Sequence, residues 1–263
     1  MDLHLKIEVY QCAAELEQNA AEKIILMINK AIGERGVCSI ALSGGETPRP
    51  VYRILGSSPI KERIDWSRVH LFFTDERVVP PTDPQSNFGM INREFISHIN
   101  ISSRNIHRIA GEKKPELAAA DYERELREYF SNQIIRFDVV LLGLGEDGHT
   151  ASIFPGTKVV HEEKAFVAAV YARRLSIWRV TLTYRSINNA REILFLVSGK
   201  NKRFIVQNIL KTPAMREEYP AALVQPLDGN ILWMLDKDAA EEYVKENPKK
   251  DDQIAMTSDG IYY

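Results

Sequence analysis

Short β-rich runs alternate with longer stretches of helical period along nearly the whole chain, and this order restricts the fold more than any other feature. LKIEVY (5–10), VCSIAL (37–42), VHLFF (69–73), DVVLL (138–142) and EILFLVSG (192–199) read as strands. FVAAVY (166–171), WRVTLT (178–183), ALVQ (222–225) and ILWMLD (231–236) read the same way. Apolar side chains at helical spacing fill 12–32, about 88–98, 115–132, about 200–210 and 238–246. GERG (33–36) is expected to stop the first helix, while Thr47 followed by Pro48 reads as the N-cap and first residue of the next. TDERVVPPTDPQSNFG, after the third strand, reads as a long polar loop. Strands alternating with helices indicate an α/β fold, a mostly parallel sheet with helices on both faces. Such sheets bind ligands beyond the carboxyl ends of their strands.

The 263 residues suffice for a substantial core, and no linker or internal repeat divides them, so one domain over 1–263 is expected. The polar tail, about 247–263, is expected to be loosely held. A net charge of −2 gives no global field toward nucleic acid or an acidic membrane, so any anionic ligand needs a local cluster of positive groups. No apolar run approaches the ~18 residues of a membrane span. The first twenty residues show no basic segment followed by an apolar run, so no signal peptide is expected. Cys12 and Cys38, without a C-x-x-C, fit a reducing compartment. A cytoplasmic protein, monomeric or a small homo-oligomer, is the expectation.

The segment DVVLLGLGEDGHTASIFPG (138–156) carries G-x-G-x-x-G after a strand, a pattern used to bind dinucleotides. The supporting context is missing. Pro155-Gly156 interrupts the helix that should follow, and FVAAVY ends without an acid to hold a ribose. A tight turn presenting His149 at the lip of the sheet fits better, with Asp147 placed to orient the imidazole or to cap the turn. The other five histidines (4, 70, 98, 107 and 161) have no comparable setting.

Other strand ends carry candidate anion ligands. Ser43-Gly44-Gly45 before a helix start offers backbone N–H groups and a helix dipole suited to phosphate, although an ordinary glycine turn fits the same residues. The segment TDERVV (74–79) brings Asp75, Glu76 and Arg77; alone it reads as a solvated charged turn, yet arginine's planar fork is the natural partner of phosphate. Arg179 lies inside a β-like run, where it needs an anionic partner or a solvent-facing side. Lys202 follows Gly199 at the next strand-to-helix junction. No metal-ligand spacing occurs, and neither Ser43 nor Ser152 lies in a nucleophile elbow, so turn or capping roles are expected for both serines.

LSGGETP, TDERVVPPTDPQSNFGM, LLGLGEDGHTASIFPG, RVTLTYRSINNAREILFLVSG and PAALVQP occur in the order found in 6-phosphogluconolactonases, which the chain resembles from about residue 37 to 236. The resemblance implies a single Rossmann-like α/β domain related to glucosamine-6-phosphate deaminase. It further implies hydrolysis of 6-phospho-D-glucono-1,5-lactone, a small-molecule sugar-phosphate lactone, in the oxidative pentose phosphate pathway, with no required cofactor or metal. On this resemblance His149 is the catalytic histidine, with Asp147 beside it. Arg77 and Arg179 match the phosphate-binding arginines, and Ser43, Gly44 and Gly45 match the glycine turn. Asp75 and Lys202, at the same strand ends, complete the expected binding group. Where the family usually has a proline-rich segment with a lysine, this chain reads ARRLSIWRVTLT, and Arg174 falls about at the lysine's place.

Two rival activities follow from the same superfamily. One is isomerising deamination of glucosamine 6-phosphate; the deaminases carry H-x-x-x-x-E, whereas Phe154 stands five residues after His149 here. The other is a non-catalytic sugar-phosphate sensor, which would normally carry a helix-turn-helix segment that is not seen.

Overall fold

The computed structural model describes residues 4–131, 134–211 and 218–245. The expected loosely held tail, about 247–263, lies outside the described residues.

Two sheets are built. The larger is parallel throughout, from β1 (His4–Tyr10), β2 (Cys38–Leu42), β3 (Val69–Phe73), β5 (Val139–Leu142), β8 (Glu192–Val197) and β9 (Asn230–Asp236), in the spatial order β1-β9-β8-β5-β2-β3. Every residue of β2 and β5 is buried, which explains why both are apolar apart from Ser39: both faces of these strands are covered. The smaller sheet, in the order β4-β7-β6, is antiparallel and comprises β4 (Asp75–Arg77), β6 (Val167–Ala172) and β7 (Ile177–Leu182). The α/β expectation therefore holds for the central sheet, with an antiparallel addition.

Two local expectations are corrected, and a third, the stop in GERG, holds with its place refined. The segment 75–77 is a strand rather than the start of a loop, because its backbone groups pair with β7 as Asp75↔Thr181, Glu76↔Val180 and Arg77↔Arg179. ALVQ is not a strand. Pro220–Leu223 is a single 3₁₀ turn whose N–H groups bond locally or to the loop after β5: Ala222 N donates to Tyr219 O, and Ala221 N to Gly148 O. The first helix, α1 (Ala13–Arg35), runs through Gly33 and stops only at Gly36, which is left-handed at φ +82 and donates its N–H to Ile32 O.

The remaining helices are α2 (Pro48–Leu55), α3 (Asn87–Glu94), α4 (Pro115–Tyr129), α5 (Tyr184–Ile187), α6 (Arg203–Lys211) and α7 (Lys237–Lys245). α2 begins at Pro48 as expected, but Thr47 makes no side-chain cap, since its own backbone is already helical (φ −60, ψ −45). α3 is capped twice over. Ser86 Oγ accepts from Gly89 N, and the buried Glu76 carboxylate accepts from Asn87 N, Phe88 N and Ser86 Oγ. Glu76 thereby ties β4 to the start of α3.

Chain order and spatial order together locate a switch point. From β2 the chain moves outward to β3, then returns to the other side of β2 for β5 and continues through β8 to β9. The loops leaving β2 and β5 diverge there, the place where sheets of this kind bind their ligands. Those loops are Ser43-Gly44-Gly45 and the His149 turn.

Candidate active site

The turn after β5 is shaped by its glycines. Gly145 N donates to His149 O (2.8 Å), Gly148 N to Gly145 O (3.1 Å), and Thr150 Oγ1 to Gly143 O (2.8 Å). Gly148 has φ +79, a left-handed conformation that costs glycine little. A Cβ on Gly145 would stand 2.0 Å from His149 Nδ1, so glycine there leaves the space the imidazole occupies.

The imidazole is held on one side. Nδ1 of His149 is 2.5 Å from Asp147 Oδ1, and the Phe154 ring lies 4.4 Å from the imidazole, centroid to centroid. Burial alone would raise the Asp147 carboxyl, but the hydrogen bond and charge of His149, with backbone donors, overcome it and hold that carboxyl at about 2. An ionised carboxylate on Nδ1 favours the tautomer with Nδ1 protonated, which leaves Nε2 with a lone pair to accept a proton. Asp147 fills both roles open to it, since the same Oδ1 also accepts from His149 N (3.2 Å) and so caps the turn.

His149 and Asp147 line a cavity of about 970 Å³ together with Arg174 and Lys202. Burial lowers the Lys202 ammonium, opposed by Glu146 and Asp147. Arg174 is largely exposed, with Nη1 4.0 Å from Asp147 Oδ2. Trp178 and Tyr171 complete one apolar wall; neither was singled out from sequence.

The second expected group is assembled on the small sheet; neither its arginines nor Asp75 nor the Ser43-Gly44-Gly45 turn is part of this lining. Arg77 and Arg179 are directly opposed across β4 and β7. Arg179 is 7% exposed, its Nη1 is 3.7 Å from Asp75 Oδ2, and its Nε is buried without a hydrogen bond. Burial pushes its guanidinium down to about 10, against the pull of Asp75, so it stays charged at neutral pH. Arg77 donates from Nη1 to Gln85 O, and its Nε too is buried without a partner. Two cations with unfilled donors, side by side, suit a divalent anion.

Asp75 is buried behind them. Its Oδ2 accepts from Ser152 Oγ (2.5 Å) and its Oδ1 lies 3.3 Å from Asn87 Nδ2 and from Thr74 Oγ1. Ser152, expected to serve only a turn, thus joins the His149 loop to the arginine sheet. The glycine turn adjoins the same cluster: a Cβ on Gly44 would meet Asn87 Oδ1 at 1.9 Å, and Ser43 O accepts from Tyr52 Oη (2.6 Å). Asn87 was missed from sequence, although it lies in the quoted QSNFG segment. Among the described residues, no group of three or more His, Cys, Asp or Glu side chains is placed to hold a metal ion.

A family model described as glucosamine-6-phosphate isomerases/6-phosphogluconolactonase matches residues 11–233. The chain belongs to this family. Among relatives within and around the family, a Haemophilus influenzae protein named 6-phosphogluconolactonase is 40% identical over 76% of this chain and 85% of its own length. A Nostoc sp. protein of the same name is 34% identical over 90% of this chain and 97% of its own. The solved structure of 6-phosphogluconolactonase from Trypanosoma cruzi superposes with a TM-score of 0.82 at 30% identity, covering 92% of this chain and 97% of that one. A monomeric glucosamine-6-phosphate deaminase superposes with a TM-score of 0.76 at 24% identity over 90% of this chain and 99% of that one, a likeness of fold alone. Both chemistries named by the family are thus represented on this architecture.

Proposed function

We propose that the protein hydrolyses 6-phospho-D-glucono-1,5-lactone to 6-phospho-D-gluconate, as a carboxylic ester hydrolase. The observation that carries this reading is the His149–Asp147 pair at the lip of a sugar-sized cavity, with Nδ1 engaged at 2.5 Å and Nε2 left to act on water. A δ-lactone is an activated ester, so few groups are required. Water attacks the ring carbonyl carbon while His149 Nε2 takes one of its protons. The tetrahedral intermediate then collapses, the bond from C1 to the ring oxygen breaks, and the imidazolium returns the proton to that departing oxygen. Asp147 stabilises the imidazolium through both steps.

Phosphate recognition falls to Arg77 and Arg179, whose opposed guanidiniums and partnerless Nε atoms support it, with the Ser43-Gly44-Gly45 turn offering backbone donors. Asp75 acts through Arg179, offsetting its charge and fixing its position. Arg174 and Lys202, in the cavity lining, are assigned to the sugar end of the substrate. Remote binding of the phosphate holds the carbonyl against the histidine. We read residues 1–263 as one catalytic domain serving the second step of the oxidative pentose phosphate pathway in the cytoplasm. Among the described residues no helix is long and apolar enough to cross a membrane.

The test is acid release from freshly generated lactone, corrected for spontaneous hydrolysis. His149→Ala is expected to lower turnover by at least ~10²-fold with KM nearly unchanged, since a general base acts mainly in the transition state. Near-normal turnover in that variant would remove the histidine from the mechanism.

A further inference from the structure

A second cleft lies at the opposite, amino-terminal edge of the parallel sheet. It has a volume of about 930 Å³ and is formed where β2, β3, β5 and β8 begin. Its polar side carries Arg35, Arg136 and Arg191. Arg35 Nε donates to the buried Asp138 (2.7 Å), and Arg136 Nη2 donates to Asp228 (2.6 Å). Arg191 reaches Asp138 only at 3.4 Å, because that carboxylate is already taken by Arg35, Ser39 N and Ser39 Oγ. The Nε atoms of Arg136 and Arg191 are both buried without a hydrogen bond, that of Arg191 being the atom held at 3.4 Å from Asp138 Oδ1. Buried polar atoms in folded proteins are nearly always paired, so a partnerless Arg136 Nε beside an Arg191 Nε held only by a long ion pair points to an acceptor from outside the chain.

The other side of the cleft is apolar and partly exposed. Val37 and Leu227 are among the exposed large hydrophobic residues, Leu227 at 71%, and the rings of Tyr129 and Phe130 stand edge to face between them and the sheet. His70 also lines it, with Nδ1 3.0 Å from His107 Nε2, whose Nδ1 in turn is 2.7 Å from Glu125. Guanidinium forks facing an aromatic and aliphatic wall recognise an anion joined to a planar apolar group. A cleft of this volume is in the range of ~300–1,000 Å³ that small-molecule sites occupy.

We propose that this cleft is a second binding site, separate from the His149 cavity, for a nucleotide-sized phosphate ester. Arg136 and Arg191 take the phosphate, and Tyr129, Phe130 and Leu227 take the base. The charges of the three arginines are offset by Asp138, Asp228 and the rim residue Glu34, so specificity comes from donor geometry and the apolar wall rather than from net charge.

Calorimetric titration of the full chain with adenosine monophosphate, inorganic phosphate and adenosine tests this. The nucleotide is expected to bind with Kd at or below ~1 mM, and phosphate or adenosine alone at least ~10-fold more weakly, about 1.4 kcal/mol each. Arg191→Ala and, separately, Arg136→Gln should weaken nucleotide binding at least ~10-fold while lactone hydrolysis is retained, which also reports that each variant is folded. Arg179→Ala should leave nucleotide binding intact. Absence of nucleotide binding, binding unaffected by both cleft substitutions, or binding lost in Arg179→Ala would overturn the site. Phosphate binding as tightly as the nucleotide would overturn the ligand class.

Discussion

Arg179 shows how a single residue type in an unfavourable place carries information. An arginine in the middle of a β-like run must find an anion, and here it finds only half of one: Asp75 stands 3.7 Å away, and Nε remains unpaired. Asp75 itself is committed to Ser152. On the proposed reading, removing Arg179 takes away a phosphate contact while leaving the His149–Asp147 pair in place. Arg179→Ala is expected to raise KM for the phosphorylated lactone at least ~30-fold, since truncating one partner of a desolvated charge pair costs about 2–5 kcal/mol. Its effect on unphosphorylated gluconolactone should be small. Parallel kinetics on the two substrates decide the matter; equal damage to both would make the arginine a structural element of β7. The settings of His149, Arg77 and Arg179 were legible in the sequence because glycines, charges and strand positions mark them locally. Asn87 and Ser152 were not, since their roles arise from contacts with Gly44 and Asp75 that fold brings together from 43 and 77 positions away.

At the scale of elements, the same distinction explains which strands were foreseen. β5 is an unbroken apolar run buried on both faces, and β2 and β8 depart from that only at the buried Ser39 and the half-buried Glu192, so their existence and ends are nearly explicit. β4 is three residues, all charged, and is a strand only because β7 offers it partners. ALVQ has the composition of a strand, but the 3₁₀ turn Pro220–Leu223 sets its backbone donors on Tyr219 O and Gly148 O instead of on a sheet. The His149 turn is the element on which activity should depend most sharply. A Cβ at Gly145 would lie 2.0 Å from His149 Nδ1 and 2.8 Å from Asp147 Oδ1, whereas one at Gly143 would meet nothing within 4 Å. Gly145→Ala is thus expected to lower kcat on the lactone by ~10²-fold, the scale of loss that a misplacement of about 1 Å produces. Gly143→Ala should stay near wild type. Comparable kcat values in the two variants, with both folded by thermal melting, would show that the turn does not set the imidazole.

For the whole molecule, the two sheets divide the work. The parallel sheet delivers the His149 turn and the Ser43 turn on either side of its switch point, and the antiparallel sheet sets Arg77 and Arg179 beside them, with Ser152 joining the two through Asp75. The same architecture supports a deaminase, so fold alone does not choose between the chemistries. The choice rests on what accompanies the histidine. Deamination of glucosamine 6-phosphate must open a ring and move protons between neighbouring carbons, which calls for a relay, and the deaminase motif supplies an acid five residues after the histidine. Here that position is Phe154, whose ring packs at 4.4 Å against the imidazole and can neither accept a proton nor donate one. The only carboxylate hydrogen-bonded to His149 among the described residues is Asp147, on the Nδ1 side, where it orients the ring. A histidine so placed can pass one proton from water to a leaving oxygen, which is all that ester hydrolysis demands. The expected outcome is rapid acid release from 6-phosphogluconolactone and no ammonia from glucosamine 6-phosphate, measured side by side on one preparation. Ammonia at a catalytic rate, with lactone hydrolysis no faster than the blank, would assign the protein to the other branch of its family.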